Sequence, residues 1–328
     1  RRSAERDDLN PRRLLRRCSV QRRRVTDASQ VTLRKASANR TKGYAAVTMA
    51  GPTLRKRQLG MELRRLRDAA GITREIAADE IACSPTKITH LESGRNSPRK
   101  AELRVLLQLY GASVEEHAAL EELRLEASER GWWSTARLPE WLAAYVGLED
   151  DATSLRAVAL ELIPGLLQTE NYAREVHRLA VHTTAPDQID RWVSARMRRQ
   201  HRLTDPPPLQ FSAVVSEAAL RRCAGHPPVA SGQLKHLIAR AKLPNVDLRI
   251  LPFSAGLHPS MMGTIALLRF PDEALPDVAY QEYAVGGHLI DEPAILGRLD
   301  RLYSALQDQA LGADESLVLI SELLTSTG

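Results

Sequence analysis

Between Gly71 and Arg95 the chain sets polar side chains at a spacing that suits contact with a polyanion. Thr86 and His90 are four residues apart, about one helical turn, and Lys87 falls beside them. A hydroxyl, an imidazole and an ammonium on one helix face can donate to and accept from base edges in a DNA major groove. Pro85 could touch a thymine methyl, and Lys87 could read a guanine or hold a phosphate instead. Arg74, Ser84, Arg95 and Arg99 flank this set, where backbone phosphates would lie. Arg74 opens a helix, whose dipole favours an anion at that end. The plain alternative is an amphipathic helical hairpin whose polar face is only solvated.

The elements that must position these groups are legible around them. Gly71 stops a first helix, and Thr73 can cap the next by accepting from an orphan backbone N–H. Ser84 caps a third helix with Pro85 in its first turn, where the missing N–H does no harm. Ala78 is small where two helices must cross closely; Ile81, Ile88 and Leu91 face inward and leave Thr86, Lys87 and His90 outside. Glu92 reads as structural, orienting the loop or an arginine. Five helices are expected, near 54–70, 74–82, 85–92, 99–110 and 113–130, punctuated by Gly71, Gly94 and Gly111. The two caps, the small Ala78 and the Leu91-Glu92-Ser93-Gly94-Arg95 ending together favour the DNA reading.

Charge agrees only once the chain is divided. The overall net charge of +6 and pI of 9.4 are dominated by residues 1–48, with 14 Lys/Arg against 4 Asp/Glu. Residues 52–110 hold 12 basic and 7 acidic side chains, whereas residues 111–328 hold 20 and 29. A basic module joined to an acidic one suits local phosphate binding without general affinity for polyanions. Residues 1–48 have no apolar period and read as a disordered basic leader. One reading is a basic arm lying along DNA; the other, favoured here, is in-frame sequence upstream of a start at Met49, which leaves no room before the first helix. No apolar run of secretory length follows the arginines, and charges interrupt every stretch long enough to cross a membrane. Cys18, Cys83 and Cys223 are too few and scattered for a disulfide framework or zinc site, so a reducing cytoplasm is expected.

Beyond Gly131-Trp132-Trp133, read as a seal between two domains, the pattern changes. Strands are expected at 155–163, 209–215, 246–251, 262–270, 278–283 and 287–290. Helices are expected at 171–180, 186–203, 216–222, 229–242, 292–310 and 314–325. Arg191, Arg196, Arg198, Arg199 and Arg202 form a stripe on one of them, read as a solvated face, with an acidic partner as the alternative.

Two stretches resemble known families. Residues 59–110 are similar to the xenobiotic-response-element (phage-repressor-like) class of helix-turn-helix regulators. The blocks Leu138-Pro139-Glu140-Trp141, Pro164-Gly165-Leu166-Leu167-Gln168-Thr169, Arg196-Met197-Arg198-Arg199-Gln200, Leu251-Pro252-Phe253-Ser254-Ala255-Gly256 and Tyr280-Gln281-Glu282 resemble the C-terminal domain attached to such regulators in filamentous high-GC bacteria. The resemblance implies an all-α helix-turn-helix domain of five helices at 49–131, then an α+β domain with a mixed sheet at 132–328. It also implies a DNA-binding transcriptional regulator, developmental or antitoxin-like, often encoded beside a small partner protein. Two departures stand out. Ile76 replaces the Glu that would complete a capping box with Thr73, and Ala82 sits where the turn usually has Gly.

The reading that follows is a cytoplasmic, nucleoid-associated regulator bound to double-stranded DNA, a repressor and a homodimer, because one such helix reads too few bases alone. The alternatives are an antitoxin-like protein that mainly sequesters a small partner, and a DNA-tethered enzyme. For the last, His258 with Ser260 or His288 with Asp291 would be needed, yet no metal spacing, phosphate loop or nucleophile elbow is present. No catalysis, cofactor, metal or membrane is therefore expected. A cleft for a ligand or partner segment could be lined by Leu166, Gln168, Phe253 and Glu282.

Overall fold

Glycines and capped amphipathic stretches divide the first part of the chain as the pattern predicts. The structure, a computed structural model, describes residues 51–179, 185–261, 263–271, 275–283 and 286–327. The basic leader and Met49 lie outside the described residues. The five expected helices are α1 (Pro52–Ala69), α2 (Arg74–Glu80), α3 (Pro85–Glu92), α4 (Lys100–Leu109) and α5 (Val114–Ala127). Their inward faces meet in one core built from Leu59, Leu63, Ala78, Ile88, Leu91, Leu106 and Leu120. Gly71, Gly94 and Gly111 each have φ near +70° (68°, 71° and 69°), the conformation that ends a helix at little cost only in glycine.

After a 3₁₀ turn at Trp132–Ala136 the structure adds a helix the sequence did not announce, α6 (Glu140–Asp151). Then follow β1 (Ser154–Ala159), α7 (Glu170–Leu179), α8 (Pro186–Arg199), β2 (Gln210–Ser216), α9 (Glu217–Ala224), α10 (Ala230–Arg240) and β3 (Val246–Leu251). The chain finishes with β4 (Ile265–Arg269), β5 (Val278–Tyr283), β6 (Gly286–Ile290), α11 (Pro293–Gln309) and α12 (Ala313–Ser326). The strands form a six-stranded mixed sheet in the order β3-β2-β1-β4-β5-β6. β1, β2 and β3 are parallel, joined through helices, and β4 to β6 form an antiparallel meander beside β1.

Both sheet faces are apolar and both are covered, as a sheet with crossover helices requires. Leu155 pairs with Phe211 on one side and Leu268 on the other, and this face packs under α6, α9, α10 and α12. Val158, Val214, Leu267 and Ala279 face the opposite way, onto Tyr303 and Leu306 of α11.

Two expectations are corrected. β1 stops at Ala159 rather than Ile163, where side chains take the place of a strand neighbour: the Ile163 N–H donates to Tyr172 Oη at 3.3 Å and its carbonyl accepts from Gln168 Nε2 at 2.7 Å. Gln200 Nε2 donates to the carbonyls of Gly165 (3.1 Å) and Gln168 (2.6 Å), and Gln233 Nε2 to that of Leu167 (2.6 Å). The arginine stripe is only in part a solvated face, with Arg198 exposed. Arg198 stacks over Trp132 and Arg202 donates to the Ala152 carbonyl, while Arg196 and Arg199 turn inward onto Gln168 and Glu149.

α1 is shared between the two cores. Leu54, in its first turn and fully buried, packs with Trp133, Tyr145 and Leu148 of the second core. A Cβ on Gly147 would lie 2.1 Å from Thr53 Oγ1, so the Thr53 side chain of α1 sits directly on the backbone of α6. Arg57 Nη2 reaches Asp291 Oδ2 at 3.3 Å, and Gly51 N donates to Asp151 Oδ1 at 2.5 Å. Burial pushes the Asp151 carboxyl up to about 6, against the pull of the Gly51 N–H. A raised folded pKa means that the folded state holds the proton more tightly, so Asp151 adds stability as pH falls through 6 towards its unfolded value of about 4. Asp151→Asn keeps an acceptor for Gly51 and removes the charge. It should melt at or above the wild-type temperature at pH 7.5 and lose that margin by pH 4.5; a margin constant across this range would show that Asp151 stays solvated.

Candidate nucleic-acid interface

The candidate site is the solvent side of α3, and local chemistry explains its start. Thr73 Oγ1 accepts from Ile76 N–H and Ser84 Oγ from Lys87 N–H, each at 3.3 Å. Only Thr73's half of a capping box exists at α2, since Ile76 has no carboxylate to return and is itself exposed. Ile88 and Leu91 are buried, which turns Ser84, Pro85 and Thr86 to solvent, with Lys87 and His90 half-buried at the edges.

The turn into α3 carries strain. Ala82 has φ 49°, in the left-handed region that costs a residue with a Cβ about 1–2 kcal/mol. Because glycine's extra unfolded-state freedom offsets part of this, Ala82→Gly should stabilise the fold by about 0.5–1 kcal/mol, read as a rise in unfolding midpoint. A fall in midpoint would mean that the Ala82 methyl makes packing contacts worth more than the strain.

The far end of α3 is clamped. Glu92, 6% exposed, accepts from Arg67 Nε and from Arg67 Nη2 at 3.2 Å, and Arg74 Nε reaches it at 2.9 Å. One carboxylate thus ties α1, α2 and α3 together, as its structural reading anticipated. Tyr110 lies close by, its hydroxyl pushed up to about 12 by burial first and then by Glu92. Glycines make the approach possible. A Cβ on Gly60 would sit 2.5 Å from the Leu91 carbonyl oxygen, and one on Gly94 2.5 Å from Arg57 Cα. Gly60 was not singled out from the sequence, nor was Arg67, which in sequence looks like any basic residue on an amphipathic helix.

The structure spreads the eight candidate DNA contacts along α3, Ser84 to Lys87 at its start and His90, Arg74 and Arg95 towards its finish, and leaves them unequally free. Thr86 and Pro85 are exposed. His90 Nε2 accepts from Arg95 Nη1 at 3.2 Å. Lys87 Nζ donates to Glu102 Oε1 at 2.5 Å, a partner the sequence reading missed although Glu102 stands three residues beyond Arg99 in the capping-box position. Arg74 spends its Nε on Glu92 and is 39% exposed, while Arg95 and Arg99 are exposed. The free acceptors and donors therefore concentrate on Ser84, Thr86 and the His90–Arg95 pair.

In the second domain, Leu166 is core and Gln168 is buried, with its amide committed to Ile163 O and Arg196. Glu282 is exposed on β5 near Arg196. Phe253, 59% exposed, instead takes its contacts from Glu217, which accepts its N–H at 2.8 Å, and from Arg221 over its ring. These four do not line one cleft. Two shallow grooves lie elsewhere, one of about 630 Å³ along Val193, Met197 and Arg198 and one of about 390 Å³ between α9 and α12. Ser260 Oγ donates to Gly263 O and Asp291 pairs with Arg57, so neither is engaged with the histidine considered beside it. No described helix is long and apolar enough to cross a membrane.

Comparison with known families agrees with both halves. Residues 58–120 match a helix-turn-helix domain family, and residues 142–322 match a domain of unknown function, DUF5753. No curated protein and no solved structure matches the chain. The second match spans more than half of the 328 residues and contains the whole mixed sheet. The chain belongs to the DUF5753 family, with a DNA-binding helix-turn-helix domain ahead of that domain.

Proposed function

We propose that this protein is a sequence-specific transcriptional regulator, acting as a cytoplasmic homodimeric repressor. The observation that carries the reading is the contrast along α3. Its N-terminal half exposes Ser84, Pro85 and Thr86, while its C-terminal end is locked by Glu92, Gly60 and Gly94. A rigidly held helix with a free polar N-terminal face is what major-groove readout needs. Thr86 and His90 read bases, Pro85 packs on a thymine methyl, and Lys87 needs to exchange Glu102 for DNA. Ser84, Arg74, Arg95 and Arg99 hold phosphates. Dimerisation supplies the second half-site, and the second domain senses a ligand or docks a partner.

Selection of genomic fragments by the full chain, beside a Thr86→Ala/His90→Ala variant, tests this. The wild type should enrich a palindromic site that the variant loses. His90→Ala alone should cost about 1–3 kcal/mol and relax one base pair, whereas Arg99→Ala should weaken every sequence alike and lower the salt slope by about 1. Equal enrichment by wild type and double variant would remove α3 from the reading role.

A further inference from the structure

The two edges of the mixed sheet differ in how they are finished. β3, at one end, is bonded on its outer side: the Ile250 N–H donates to Ser316 Oγ at 2.9 Å, and the Ile250 carbonyl accepts from the Leu311 N–H at 2.9 Å. It also carries Asp247 and Arg249, charges of the kind that blunt an edge. β6, at the other end, has β5 as its one partner strand. Its five residues, Gly286-Gly287-His288-Leu289-Ile290, include no Lys, Asp, Glu or Pro to blunt it.

The middle of β6 is open from both sides. Leu289 shares a sheet face with Tyr280, its register partner, and His288 shares the opposite face with Gln281. Both side chains are exposed, so neither α6 nor α11 closes over the centre of the strand. The two glycines have a physical use. A Cβ on Gly287 would lie 2.5 Å from Tyr280 Oη, and one on Gly286 2.8 Å from Tyr283 Oη, so both tyrosines reach across β6. Tyr283 is 56% exposed, an aromatic surface of the sort that anchors interfaces, at the rim of an open edge.

We propose that β6 pairs antiparallel with β6 of a second copy of this chain, about a two-fold axis at His288, joining two six-stranded sheets into one. The strand is complementary to itself in that register. Leu289 falls opposite Gly287 of the copy and Ile290 opposite Gly286, a large residue against glycine each time, while His288 meets its own copy. Main-chain hydrogen bonds supply the affinity, and the Tyr283 ring that crosses Gly286 receives the incoming Ile290. Because β3 is closed, the addition stops at two copies and does not run on into a fibre.

This pairing rests on the homodimer reading above and gives it an interface. Asp291, the first residue after β6, pairs with Arg57. Gly94, just beyond α3, lies so close to Arg57 that a Cβ there would be 2.5 Å from its Cα. Joining the sheets therefore fixes the two reading helices relative to each other, as paired half-sites require.

The test is sedimentation equilibrium of the full chain beside His288→Lys. The wild type should be a dimer at micromolar concentration. The variant sets two ammoniums against each other across the axis and should weaken dimerisation about a hundredfold, with its circular dichroism unchanged because the position is exposed. In a Cys18→Ser/Cys83→Ser background, His288→Cys should cross-link two chains on mild oxidation, whereas Val114→Cys, 81% exposed on α5, should not. A monomeric wild type, a dimer that His288→Lys leaves intact, or cross-linking no stronger at 288 than at 114 would each overturn the pairing. Fragment selection separates the two readings: a dimer that His288→Lys breaks but that enriches no site would sustain the pairing and remove DNA reading, and a monomer that enriches a site would do the reverse.

Discussion

Glu92→Ala should destabilise the helix-turn-helix domain by about 3 kcal/mol, because it strips the buried Arg67 guanidinium of its buried counterion and leaves it only the exposed carboxylate of Asp68, at 2.8 Å. Arg67 and Glu92 are both only 6% exposed, so water cannot replace the lost carboxylate. The Arg74 contact adds little, since that side chain is 39% exposed and solvent screens it. DNA affinity should fall further than stability alone predicts, as α3 loses the anchor at its C-terminal end. Chemical denaturation of the full chain, with DNA binding measured under folding conditions, would show this. A companion Arg67→Met/Glu92→Met variant should recover most of the stability, because a buried ion pair replaced by packed apolar groups is often neutral. A loss below about 1 kcal/mol for Glu92→Ala would mean that Arg67 escapes to solvent.

The second large effect is expected at Glu149. Its carboxylate is 1% exposed and holds Arg199 through two hydrogen bonds and Tyr145 through a third. Glu149→Ala would leave Arg199 and Arg196 adjacent and like-charged, with only Glu282 as a nearby anion, a cost of about 3 kcal/mol. Tyr145 would also lose its acceptor and loosen from Tyr280. Denaturation of the full chain should show the loss. Wild-type stability in Glu149→Ala would contradict the burial of the pair.

What the sequence could reveal depended on how local the determining interactions are. Thr73, Ser84, Pro85 and the turn glycines act within four residues, and the expected helix bounds up to residue 127 hold within a few residues. α6 escaped because Trp141, Leu142, Tyr145, Val146 and Leu148 bury more than one face, which erases the amphipathic period, and because Gly147 looks like a helix breaker. Its glycine is there for Thr53 and Trp133, partners 94 and 14 residues away. Missing α6 also hid Glu149, without which the arginines on α8 read as a solvated stripe. The run from Leu155 to Ile163 was too long a strand for a related reason, as Tyr172 on α7 and Gln168 bond the Ile163 backbone. The outward face of α3 was legible because Ile88 and Leu91 fix it, but the Lys87–Glu102 contact was not read from the sequence.

α1 carries a consequence for how the molecule comes apart. Its 18 residues span about 27 Å, at about 1.5 Å per residue. One end is embedded with Tyr145 and Leu148, and the other lines the core beneath α3. Excising the chain after Gly131 would leave Leu54 and Thr53 as an unsatisfied half-socket on one piece and strip a wall from the other. The two families matched here, over 58–120 and 142–322, are thus distinct as sequence but not separable as folding units. Their melting is coupled through a common strut, and a shuffled gene that joined either half to a foreign neighbour would have to rebuild the first turn of α1 as well as the junction.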